Sequence, residues 1–169
     1  MHFSDEIRYK VKTLVIGIGS LLRADDGAGP HVIKALGKEE LGKAVDLMDD
    51  VSGLDILDAI AGYDRVVLVD AIQGGGGKPG TIYQFSLNDF ENRQTLHSFS
   101  THLNMDFPTM LELGKKLFPK NIPDDISIIA IEAEDVRTIS DKCTGAVEKA
   151  IPEAVELIKG LLKKTEGRE

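Results

Sequence analysis

Cysteine is all but absent from this chain, and Cys143 has no partner for an internal disulfide. A single thiol fits a reducing compartment. Apolar runs long enough to cross a bilayer are also missing, and the opening MHFSDEIRYK is polar, without the apolar core of a signal peptide. Positive charge is in deficit: 20 Lys and Arg stand against 28 Asp and Glu, a formal net charge of −8. That balance argues against nonspecific binding to nucleic acid or to an anionic membrane surface. No nucleophile elbow, Cys-x-x-Cys, His-Glu-x-x-His or phosphate loop is present, and there is no internal repeat. Cys143, between Asp141-Lys142 and Thr144 in an expected helix entry, has weak support as a nucleophile. A cytoplasmic enzyme or binding protein remains.

What is present is enough for one domain over residues 1–169, with 42% hydrophobic and 28% charged residues. The chain is organised around Thr13 to Leu36. Thr13 to Ile18 is a β-branched apolar run, the composition of a strand buried on both faces. Gly17 and Gly19 allow a tight turn, and Gly29, Val32, Ile33 and Leu36 then recur at helical spacing, with Pro30 in the first turn. This is half of a βαβ unit, but it carries Asp25 and Asp26 where the helix begins. A dinucleotide fingerprint would need a third glycine at Leu22, and two carboxylates would repel a phosphate. Helix capping explains one aspartate well and two adjacent ones less well.

Further strands are predicted at Ala44 to Met48, Arg65 to Val69 and Ile126 to Ile131; the second of these, like the first strand, is a continuous apolar run of the parallel, helix-covered kind. The third of the four ends at Asp70. Thr81 to Phe85 follows too closely for a crossover helix, so it is expected to be antiparallel and at an edge. Helices are expected at Leu54 to Ala61, from Thr101 to Leu117, and from Val147 to Leu161. The fold class is therefore α/β: three layers, a twisted, mostly parallel sheet of about five strands with helices on both faces, and one antiparallel edge strand. Gly74 to Gly77 reads as a mobile loop beside Asp70.

Ligands in such sheets sit beyond the carboxyl ends of the strands. Asp26 follows the first strand, Asp70 ends the third, and His102 opens the helix after the long loop. Two carboxylates and an imidazole suit a divalent metal with open positions, or a metal-free carboxylate pair with a general base. His97 ranks second to His102; His31 and His2 are expected at the surface. Glu132, Glu134 and Asp135 close a strand at the same edge, where an acidic loop is usually just solvated.

Three segments carry a resemblance to a known family. With GIGSLLRADDGAG (Gly17 to Gly29), VVLVDAI (Val66 to Ile72) and STH (Ser100 to His102), the chain resembles the hydrogenase maturation endopeptidases over nearly its whole length. The resemblance implies that Asp26, Asp70 and His102 form a metal-binding and catalytic cluster at the C-terminal sheet edge. It implies a peptidase, of aspartyl or metal-dependent type, that removes a C-terminal extension from the large-subunit precursor of a nickel–iron hydrogenase. Nickel already in the precursor would be the recognition signal; other divalent metals are expected to enter the site in vitro. The implied partner is that precursor, met by a monomer. Ser20 stands where the family usually has Asn, and Asp26 where some relatives have Glu, so its carboxylate reaches less far. The IEAED segment, Ile131 to Asp135, is similar to the branch serving archaeal deazaflavin-reducing hydrogenases. The competing reading is a noncatalytic α/β module that binds a flavin or nucleotide through the Gly17–Gly19 turn.

Overall fold

The strands lie in the order β2-β1-β3-β5-β4: β1 is Thr13–Gly17, β2 Val45–Met48, β3 Arg65–Ile72, β4 Ile82–Ser86 and β5 Asp125–Glu132. This computed structural model describes residues 11–87, 89 and 107–164. β1, β2, β3 and β5 run parallel, and β4 alone is antiparallel, paired with β5 at the edge. The short link across Gly74 to Gly80 thus does what its length requires, reversing the chain without a crossover helix.

Alternation along the parallel strands sorts their side chains into two cores. Leu14, Ile16, Val66, Leu68, Ile126 and Ile128 face one side, where α2 (Asp55–Ile60) and α3 (Phe107–Leu117) cover them. Val15, Val67, Val69, Ile129 and Ile131 face the other, under α1 (Ala28–Leu36) and α4 (Gly145–Lys163). Strands buried on both faces need no polar alternation, which is why they read as continuous apolar runs. The three-layer architecture follows directly.

Several local expectations change. The apolar run of β3 does not stop at Asp70: its ladder continues to Ile72, pairing Asp70 with Ala130 and Ile72 with Glu132. The helix expected from Thr101 is described from Phe107, and Leu103 lies outside the described residues. Leu117, the last residue of that helix, is exposed. Among the described residues, no helix is long and apolar enough to cross a membrane.

Candidate functional site

Asp25 and Asp26 occupy a 3-10 turn, Ala24–Gly27, wedged between β1 and α1, and both are buried. Two glycines make the wedge possible. A Cβ on Gly19, whose φ is +120°, would fall on the Asp26 carbonyl. One on Gly29 would stand 2.5 Å from the carbonyl oxygens of both Ile18 and Val69, so α1 could not close onto the ends of β1 and β3. Ala24 takes a left-handed φ of 46°, a conformation that needs support in a non-glycine residue. Its amide donates to the Ser140 carbonyl at 3.0 Å, and the Asp25 amide to the Asp135 carbonyl at 2.9 Å.

The paired aspartates divide their work. Asp25 Oδ2 accepts the amides of Glu134 and Asp135 at 2.9 and 3.0 Å and the Thr144 hydroxyl at 2.9 Å, while Oδ1 accepts the Thr144 amide at 2.6 Å. That carboxylate is a bracket between the turn and the loop leading from β5 to α4. Asp26 instead turns to the strand ends: its Oδ2 accepts the Ser20 amide at 3.0 Å. Ser20 Oγ accepts the Leu22 amide, so the side chain at this position stabilises the turn itself.

Asp70 belongs to the set Val66, Leu68, Asp70, Ile72, which alternation turns toward the α2 and α3 layer. It places a carboxylate where the neighbouring positions hold aliphatic core residues, and only 5% of it is exposed. Burial pushes its carboxyl pKa well above the usual range; the Ala71 amide, 2.8 Å from Oδ1, opposes this, and the nearby Asp26 charge adds to it. The structure therefore brings Asp26 and Asp70 together. Two carboxylates held close at low dielectric, one with a strongly perturbed pKa, mark a functional site more often than a structural one.

His102 and His97, like His2, lie outside the described residues. The segment containing His102 leads into α3, whose first residue, Phe107, packs in the core layer toward which Asp70 turns. Among the described residues, no three His, Cys, Asp or Glu side chains are grouped closely enough to hold a metal. His31, expected at the surface, is half-buried, with Nε2 3.1 Å from the Asp141 carbonyl.

Glu132 is a correction to the solvated acidic loop. It closes β5 on the same alternation as Ile126, Ile128 and Ala130, and it is buried. Its carboxylate accepts the Gly74 amide at 2.8 Å, the Gly75 amide at 3.0 Å and the Tyr83 hydroxyl at 3.0 Å. Gly77 donates to the Tyr83 hydroxyl at 2.8 Å. Three amides of the glycine run are thus bonded beside the end of β3. Glu134 is exposed as expected. Asp135 Oδ1 accepts the Arg137 and Thr138 amides, and hydrogen bonding through Thr138 first, then Arg137, lowers its carboxyl pKa to about 2.

Cys143 is buried and its thiol pKa is pushed up to about 12 by burial, helped by the charges of Asp25 and Glu148. It stays protonated at neutral pH, which removes it as a nucleophile.

Residues 30–161 match the family described as HycI, hydrogenase maturation protease. A protein of Methanocaldococcus jannaschii named as a candidate hydrogenase maturation protease is 31% identical over 160 residues, covering 92% of this chain and 99% of that one. Coenzyme F420 hydrogenase subunit delta of Methanothermobacter thermautotrophicus is 26% identical over 166 residues, covering 89% and 94%. Among solved structures, the Escherichia coli hydrogenase maturating endopeptidase HybD shares the fold with a TM-score of 0.73 at 22% identity, over 91% of this chain and 93% of that one.

Proposed function

This chain belongs to the hydrogenase maturation protease family, and we propose that it removes the C-terminal extension of a nickel–iron hydrogenase large-subunit precursor once nickel has been inserted. The observation that carries the reading is the placement of Asp70. A carboxylate set among core aliphatic positions, beside a second carboxylate, weakens the fold unless a cation relieves it. In this reading the cation is the nickel that the precursor brings, so the metal arrives as part of the substrate.

Asp26 and Asp70 would bind that nickel through oxygen and His102 through nitrogen, a donor set of the type that divalent transition metals accept. The protein's own contribution is positional. The Ser20 amide orients the Asp26 carboxylate, the Ala71 amide orients Asp70, and the Asp25 bracket keeps the turn between them from shifting. A precursor without nickel would present no cation to the cluster and would be passed over.

The archaeal similarity of IEAED and the likeness to the F420 hydrogenase subunit support an archaeal, deazaflavin-reducing hydrogenase as the partner. The test is a processing assay with nickel-loaded and nickel-free precursor, using wild type and His102→Ala. Shortening only of loaded precursor, and only by wild type, is the expected result. Equal cleavage of both precursors would remove nickel from the recognition step, and full activity of His102→Ala would remove the histidine from the cluster.

A further inference from the structure

We propose that Leu21, Leu22 and Ile139 form an apolar ledge that seats an aliphatic segment of the precursor next to the bond being cut. This rests on the reading of the chain as a precursor-processing endopeptidase. Ile139 is 88% exposed, Leu22 65% and Leu21 41%, a poor arrangement in water for three large aliphatic side chains.

These side chains are not on loose loops. Leu21 and Leu22 lie between β1 and the 3-10 turn, and Ile139 lies in the connection from β5 to α4. The Ser140 amide donates to the Leu22 carbonyl at 3.1 Å, the Ala24 amide returns to the Ser140 carbonyl at 3.0 Å, and Arg23 pairs with Ser140 as an isolated parallel bridge. Beneath this bridge the Asp25 carboxylate holds Glu134, Asp135 and Thr144. The backbone is fixed from two sides while the aliphatic tips remain bare. A preorganised apolar surface loses little freedom on binding, which is what a recognition surface needs.

The ledge is continuous with the site. Leu21 directly follows Ser20, whose amide holds the Asp26 carboxylate, and a Cβ placed on Gly27 would stand 3.2 Å from the Leu21 Cα. A polypeptide whose scissile bond lies at Asp26 and Asp70 comes within reach of these side chains. The two loops also differ electrically from the rest of the chain. Within the two loops Arg23, Arg137 and Lys142 offset Glu134, Asp135 and Asp141, in a protein of net charge −8, and Asp25 and Asp26 adjoin them. The complement of the ledge's exposed tips is aliphatic. A second copy of this chain seated here would cover Asp26 and exclude the precursor, which argues for the substrate as occupant.

The experiment compares wild type with the Leu22→Ser/Ile139→Ser double variant on nickel-loaded precursor, with melting temperature and sedimentation measured alongside. The expected result is a rise of about tenfold in KM that exceeds any fall in kcat, at unchanged melting temperature. An unshifted KM in the double variant, with wild type active, overturns the ledge alone. A wild-type dimer that the variant dissolves, again at unshifted KM, overturns it in favour of self-association. If wild type leaves every nickel-loaded precursor uncut, the processing reading itself fails and the ledge falls with it.

Discussion

Asp25 Oδ1 accepts the amide of Thr144 at 2.6 Å, joining positions 119 residues apart. Three more donors reach the same carboxylate, from Glu134, Asp135 and the Thr144 hydroxyl. The neighbouring Asp26 carboxylate instead accepts the Ser20 amide through its Oδ2.

Removing that bracket strands four donors that a buried carboxylate satisfies. Asp25→Ala leaves the Glu134, Asp135 and Thr144 amides without their carboxylate, and a cost of about 3 kcal/mol is expected for donors to a charged group. Urea denaturation measures it. Thr144→Val deletes only the hydroxyl donor, keeps the amide, and should cost about 1 kcal/mol. Equal losses in the two variants would contradict the bracket.

Asp70→Asn is expected to stabilise the isolated protein. The raised pKa means that folded Asp70 holds its proton after the unfolded chain, with a carboxyl pKa of about 3.9, has released it. The native state then binds more protons, so wild-type stability falls as pH rises from about 4 through the folded pKa. The variant lacks this titration and keeps an oxygen for the Ala71 amide. Its melting-temperature advantage should widen as pH is raised toward neutrality. A variant that melts below wild type throughout would refute the account of Asp70 as a carboxylate held at a cost.

Cys143 is expected to be silent. With its thiol pKa pushed up to about 12 and its side chain buried, iodoacetamide should leave native protein unlabelled at neutral pH and label it in denaturant. Cys143→Ala should retain processing activity; its loss would return the thiol to the chemistry.

Gly29→Ala should cost about 1–3 kcal/mol, because its Cβ meets two strand carbonyls that cannot give way without moving β1 or β3. Gly160→Ala is the control. A Cβ there meets nothing within 4 Å, and removing a glycine from the interior of α4 should stabilise by about 0.5–1 kcal/mol. Thermal denaturation of both variants separates packing at the site from general helix propensity.

Much of this architecture is legible in the sequence because it rests on local pattern. The apolar runs at Thr13, Arg65 and Ile126 could only be central strands, and the short glycine link dictated an antiparallel edge. What local pattern does not display depends on distant contacts or on parity. Asp70 reads as the end of a strand because a charge interrupts the apolar run, although counting by twos from Val66 already turns it inward. Glu132 offers the same clue, counted from Ile126. Asp25 offers none, since its partners lie more than 100 residues away. His31 likewise finds its acceptor at Asp141, across the β5–α4 connection.

The measurement that bears most directly on the whole account is processing of a nickel-loaded large-subunit precursor by wild type and by Asp70→Asn, followed by mass spectrometry of the product. The account predicts that wild type shortens the precursor at its C-terminus and that Asp70→Asn, though folded, leaves it full length. Cleavage by Asp70→Asn at the wild-type rate would contradict it.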